Sequence, residues 1–269
     1  MSAIIESGHS KNVASLLKLN QHIATLGASY NPANANLTTT AFATLYANAD
    51  AKVNGTNTTF TNWKDATNQR EIEFNKLRKL STQLLGALQS TTATQQTVDD
   101  FAFLVKKLRG SSKPKSTKPS AGKLSNPNPP IAIDPGTVPT DPPPPTDTTT
   151  ISTSQQSFDS RIQHFTKMIL LLESQPTYAP NEVEFQVPTL QTKNTVISAL
   201  NDTANTTYAS LKTARIDRNT FLYAANTGLL DLVKQSKAYI KSIYGAESQQ
   251  YHACTAIKFY RIIKKLKAN

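Results

Sequence analysis

Asn57-Thr58-Thr59-Phe60 returns 148 residues later as Asn205-Thr206-Thr207-Tyr208, and at the same shift Lys64, Ala66 and Arg70 meet Lys212, Ala214 and Arg218. Trp63 falls opposite Leu211 and Phe74 opposite Leu222, while upstream Tyr30 and Pro32 fall opposite Tyr178 and Pro180, without any change of offset. So long a constant register is the mark of a tandem duplication: one supersecondary unit has been copied, and both copies are expected to share a fold. Further upstream, Leu16, Leu19, Ile23 and Leu26 correspond to Ile162, Phe165, Ile169 and Leu172 at a shift of 146. The two-residue difference falls in the turn before Tyr30 and Tyr178, where a loop absorbs it.

The spacing in both copies is helical. Ile197, Leu200, Ala204, Tyr208, Leu211, Ala214, Arg218 and Phe221 form a stripe in steps of 3 and 4, paralleled by Ala49, Val53, Phe60, Trp63, Ala66, Arg70 and Phe74. Each stripe predicts a helix of about 35 residues, roughly 50 Å long. Gly27, Pro32 and Pro180 stop the helix before it, and Asn181 with Glu184 reads as a capping box. Asn54-Gly55 is a weak point in the first copy, and Pro188 either starts or bends the long helix of the second. A third helix is expected over 77–88 and 229–244, the latter set off by Asn226-Thr227-Gly228 and Gly245, and a fourth segment over 98–108 and 249–259. Asp99 and Asp100 favour a helix start in the fourth segment of the first copy.

Composition separates the copies. Residues 111–154 hold 11 of the chain's 15 prolines, Pro142 to Pro145 among them, and too few large apolar residues to offset the entropy of ordering. That stretch reads as a semi-rigid spacer, and its proline run also suits an aromatic groove on a partner. The expected fold is all-α: a first helical bundle at 1–110, a Pro/Thr/Ser-rich linker at 111–154, and a second, homologous bundle with a basic tail at 155–269.

Charged residues make up only 17% of the chain, below the roughly 25% usual for soluble domains, so a largely neutral surface gives little protection against association. The net charge of +11 divides into +4, +1 and +6 over the three segments. Two cation clusters stand out: Lys106, Lys107, Arg109, Lys113, Lys115, Lys118 and Lys123, and then Lys258, Arg261, Lys264, Lys265 and Lys267. They read either as solvated helix ends and tails or as contacts for a polyanion such as nucleic acid.

Little in the chain points to catalysis. His9, His22, His164 and His252 are scattered, and Cys254 has no second cysteine with which to build a zinc site. His22 and His164 read as surface or interface residues. No phosphate loop, dinucleotide fingerprint or nucleophile elbow occurs, and Glu71 and Glu73 point away from one another on a helix. No cofactor is expected. Arg70 and Arg218 interrupt an apolar stripe at equivalent positions and read as structural polar anchors. Trp63, Phe74, Tyr208 and Phe221 read as core aromatics. The opening residues lack the basic flank and apolar run of a signal peptide, and no apolar stretch approaches the ~20 residues of a membrane span, so a cytoplasmic protein is expected, with signal-less export open.

Tyr178-Ala179-Pro180-Asn181, Ala214, Arg218, Thr227-Gly228-Leu229, Tyr239-Ile240-Lys241-Ser242, Gly245-Ala246, Tyr251 and Lys258-Phe259 together resemble an uncharacterised family of duplicated all-helical proteins of Bacteroidetes. The resemblance implies the duplicated helical fold over nearly the whole chain and brings no activity with it. The function expected from the residues is a non-catalytic structural or interaction protein that forms a homo-oligomer or scaffolds protein partners. Polyanion binding through 106–123 and 258–267 is the alternative.

Overall fold

Helix is the only regular structure among the described residues, which are 4–110 and 156–262 of a computed structural model. Seven α-helices run in the order α1 (Ile4–Thr25), α2 (Thr39–Gln89), α3 (Gln95–Arg109), α4 (Phe158–Glu173), α5 (Val187–Tyr223), α6 (Leu229–Tyr244) and α7 (Gln249–Ala256). The linker read at 111–154 lies outside the described residues, as do Lys113, Lys115, Lys118, Lys123, Lys264, Lys265 and Lys267.

The turns from α1 into α2 and from α4 into α5 are built the same way. Tyr30, buried after α1, donates its hydroxyl to the carbonyl of Leu37 at 2.8 Å across the 3-10 turn Ala35–Leu37. Tyr178, after α4, donates to the carbonyl of Phe185 at 3.0 Å across Val183–Phe185. A buried phenol needs an acceptor, and a carbonyl seven residues on supplies it while closing the loop. The long helices α2 and α5 then begin at Thr39 and Val187, again 148 residues apart. The capping box expected from Asn181 and Glu184 does not form, since no side chain caps the second 3-10 turn. The tyrosine hook fixes the chain there instead. Pro188 is the second residue of α5, where its missing N–H would have no partner within the helix, so it starts the helix without bending it.

The long helices differ in length for a reason visible in the sequence. α2 has 51 residues and passes through Asn54-Gly55 without a break, and the third helix expected at 77–88 is its continuation. In the second copy the corresponding path stops at Tyr223 and resumes as α6. Asn226 adopts a left-handed conformation there, φ 66°, and its N–H bonds the Asp231 carboxylate at 2.8 Å. Gly228 lies so close to the backbone of Ala224 that an added Cβ would sit 2.5 Å from its carbonyl oxygen. The extra residues shift the offset from 148 to 152, about one helical turn, so the apolar face returns to register. Leu77, Leu80 and Leu88 of α2 thus have buried counterparts in Leu229, Leu232 and Ile240 of α6. Short helices are capped by Thr94, Ser157 and Ser248, each accepting from the N–H three residues on.

Contacts divide the chain differently from composition. One compact unit combines Met1–Glu71 with Ala199–Asn269, and the other is Ile72–Ser198. The described part of the first unit contains α1, the first part of α2, the last part of α5, α6 and α7, around a core that includes Leu16, Leu19, Phe42, Leu222, Leu229 and Ile240. The second contains the rest of α2, α3, α4 and the start of α5, around Phe74, Leu84, Phe101, Phe165, Met168 and Leu190. Each core therefore draws apolar side chains from both 1–110 and 155–269. The closing segment of the first unit is laid on α1 by Asn12, whose side-chain amide donates to the Tyr260 carbonyl at 2.7 Å and accepts its N–H at 3.0 Å.

Candidate interaction surface

Within the first unit the middles of α2 and α5 run antiparallel, because partners on one descend as those on the other ascend. Lys52 lies 3.9 Å from Asp217, Thr56 donates to the Ala214 carbonyl at 3.3 Å, and Arg70 donates to the Asn201 side chain at 3.1 Å. Positions 148 residues apart in the sequence are therefore brought together near the centre of this contact, as in a two-fold interface. Phe60 and Tyr208, one residue of the repeat, both pack near Trp63: the Phe60 and Trp63 rings are 5.9 Å apart and the Trp63 and Tyr208 rings 5.7 Å.

The outcome differs from the core role expected of these aromatics. Phe74 is fully buried and Phe221 half-buried, but Tyr208 is 47% exposed, Phe60 39%, and Trp63 is only half-buried. Period alone places each of them on the apolar stripe of its helix, yet the stripe of a long helix is buried only where another element covers it. The row is edged by cations, with Lys64 5.7 Å from the Trp63 ring, Lys212 5.8 Å from Tyr208 and Arg215 5.9 Å from Phe60. Lys64 and Lys212 are again equivalent positions. Many hydroxyls on these two helices turn back to carbonyls of the same helix, as Thr58, Thr61, Thr67, Thr203 and Thr207 do. The neutral face is therefore partly self-satisfied, and the rings are its most distinctive chemistry.

The two arginines 148 residues apart make unlike hydrogen bonds to asparagine. Arg70 reaches Asn201, but the residue matching Asn201 in the first copy is Val53. Arg218, only 3% exposed, instead directs Nε and Nη2 at the side-chain oxygen of its neighbour Asn219, at 3.2 and 3.1 Å.

The sequence places the basic clusters in different units. Lys106, Lys107 and Arg109 sit in the last turn of α3, where they face the carbonyl end of the helix; Lys106 and Arg109 are exposed, and Lys107 lies 4.3 Å from the Phe103 ring. In the first unit Lys258 is exposed, whereas Arg261 donates to the Tyr223 carbonyl at 2.8 Å and lies over its ring. Lys237 is half-buried, donating to the Ile257 carbonyl at 2.6 Å, and burial lowers its pKa. Cys254 is buried and its thiol pKa is pushed up by burial, so the thiolate needed for reactivity is disfavoured.

No protein-family model, curated protein or solved structure matches this chain. Chemistry must therefore be read from the groups themselves. Among the described residues no three His, Cys, Asp or Glu side chains gather to hold a metal ion, and no helix is long and apolar enough to cross a membrane. In the second unit an open cleft of about 440 Å³ runs past Gln83, Thr91, Tyr178, Asn181, Glu182 and Phe185. Its phenol is held protonated, with the Tyr178 pKa raised to about 12 by burial and by Glu182, and its hydroxyl is already committed to the Phe185 carbonyl.

His164, expected at a surface or interface, is buried instead on α4 beside Phe165 and Met168, with no described group bonding either ring nitrogen. Burial lowers its pKa, and Lys107 and Lys167 push in the same direction. The folded state therefore binds a proton less readily than the unfolded chain. Above the unfolded pKa of about 6.5 both are neutral, and stability should fall as pH drops from there to the folded pKa, at up to about 1.4 kcal/mol per pH unit. Denaturant titrations of the full chain between pH 7 and 5 should show that slope, and His164→Leu should flatten it without loss of stability at pH 7.

Proposed function

We propose that this chain is a non-catalytic interaction protein, a duplicated pair of helical repeats that self-associates or scaffolds partners. The carrying observation is the row Phe60, Trp63 and Tyr208, exposed aromatic surface of the kind that marks protein contacts. The low charge of the chain supports the same reading. The tyrosine hooks of Tyr30 and Tyr178 and the paired cores support descent of the two halves, 1–110 and 155–269, from one repeat, with 111–154 as spacer. A cytoplasmic setting and membership of the Bacteroidetes group of duplicated helical proteins belong to this proposal. Light scattering of the full chain over a wide concentration range should give masses above 29.4 kDa that rise with concentration. A fixed monomer mass in every sample would sink the self-association reading.

Polyanion binding is favoured by the exposed Lys106, Arg109 and Lys258. Under that reading, affinity for nucleic acid falls steeply with added salt and is lost when these side chains are neutralised.

A further inference from the structure

The self-association reading leaves open what lies on the aromatic row. We propose, resting on that reading, that the row formed by Phe60, Trp63 and Tyr208 is the docking site for the proline-rich segment of a second copy, Asp141-Pro142-Pro143-Pro144-Pro145-Thr146-Asp147. The first argument is shape. The rings are neither stacked flat nor perpendicular: Phe60 and Trp63 are inclined at 52° and Trp63 and Tyr208 at 43°, so they present ridges and notches. Proline rings fill such notches, and a proline run enters them with little conformational entropy left to lose.

The second argument is charge complementarity. The Lys64 ammonium lies 5.7 Å from the central Trp63 ring and the Lys212 ammonium 5.8 Å from the neighbouring Tyr208 ring, with Arg215 5.9 Å from Phe60, so every ring of the row carries a cation. The proline run is bracketed by Asp141 and Asp147, which an extended polyproline path would separate by roughly 19 Å, so an acidic group at each end accompanies the prolines onto a cation-edged row. The 148-residue correspondence matches the two end rings, Phe60 and Tyr208, and also matches Lys64 to Lys212.

A nucleic-acid strand fits the same row less well. Among the described residues Lys64, Lys212 and Arg215 edge the rings, with Asp65 and Asp217 on the same helices, so few phosphates would be neutralised.

The test uses Trp63, the chain's only tryptophan, as the reporter. A synthetic peptide of residues 138–150 titrated into the full chain should change Trp63 emission saturably and lower the assembly mass seen by light scattering. Peptides with serine at positions 142 to 145, or carrying Asp141→Lys and Asp147→Lys, should bind at least about tenfold more weakly, a difference of about 1.4 kcal/mol. Tyr208→Ala should weaken binding comparably while circular dichroism stays unchanged. The chain carrying Lys64→Glu and Lys212→Glu should prefer the lysine-flanked peptide, an inversion that a merely structural role for these lysines would not produce. Assemblies that persist, with Trp63 indifferent to the peptide, overturn this proposal and leave self-association standing. A chain that is monomeric throughout overturns self-association and the second-copy occupant together. A Trp63 response to single-stranded oligonucleotide but not to peptide overturns the ligand chemistry proposed here.

Discussion

Residues 1–110 and 155–269, made as two separate chains, are expected to fold only when combined. The first core would lose Leu222, Leu229, Leu232, Val233, Ile240 and Cys254 if the second chain were absent. The other core, in the same 1–110 chain, would lose Phe165, Met168, Ile169, Leu172, Tyr178, Leu190 and Ile197. Each large apolar side chain contributes about 1.5–3 kcal/mol on burial, so either loss equals or exceeds the 5–15 kcal/mol by which a domain is usually stable. The measurement is circular dichroism and mass for each fragment and for the mixture. The mixture should recover the helical signal of the intact protein with one copy of each fragment. The repeat allows one alternative closure: Phe74, Leu77, Leu80 and Leu88 of one 1–110 chain could stand in for Leu222, Leu229, Leu232 and Ile240 of the missing partner in another. Fragment 1–110 alone is therefore expected to be disordered or dimeric. A monomeric 1–110 with full helicity and a cooperative transition would count against the shared cores.

The helices were legible in the sequence because burial on one face imposes a period of 3.6, and this chain keeps that period over long stretches. The break at Asn226-Thr227-Gly228 follows from residue chemistry alone, whereas Pro188 suited either a start or a bend until its place as second residue of α5 decided for the start. The continuity of α2 through Asn54-Gly55 did not follow from it, because a glycine penalty of about 1 kcal/mol is small beside the packing of 51 residues. The pairing of cores was hidden for a different reason. The 148-residue correspondence says which segments are alike in sequence, but two like segments can each fold alone or exchange halves while burying the same side chains.

At the candidate site the sequence showed the residue types without their exposure. Phe60 and Trp63 share a stripe of α2 with the buried Ala66, and Tyr208 shares one of α5 with the buried Leu211, so only the tertiary contact distinguishes them. One signal was available: Asn-Thr-Thr flanks the aromatic in both copies, a polar neighbourhood unlike the leucine-rich runs around Leu84 or Phe165. The burial of His164 left no such trace, since its helix is apolar on several sides.

Phe74→Ala is expected to be among the most damaging single substitutions in the second unit. The ring is 1% exposed and meets Phe158 edge-on with centroids 4.8 Å apart. It also supports an arginine: the Arg161 guanidinium lies 4.9 Å from the Phe74 ring and 5.9 Å from Phe158, and its Nη2 donates to the Phe74 carbonyl at 3.0 Å. Burial makes the charged form of Arg161 less favourable, with Arg78 adding repulsion, so the ring faces and the carbonyl offset part of a desolvation that water no longer relieves. Removing the ring should cost about 3–5 kcal/mol from the cavity and lost transfer energy. It also takes away one of the two faces that hold the cation. Arg161→Met isolates that second part. In its background Phe74→Ala should cost less by about 0.5–2 kcal/mol, the coupling expected of a desolvated cation on an aromatic ring. At the equivalent position of the first unit, Leu222→Ala should cost about 2–5 kcal/mol. Denaturant titrations of the single and double variants, followed by circular dichroism, supply all four corners of the cycle. Additive losses would mean that Arg161 is held by its hydrogen bond to the Phe74 carbonyl and by Phe158, with the Phe74 ring acting only as filling for the core.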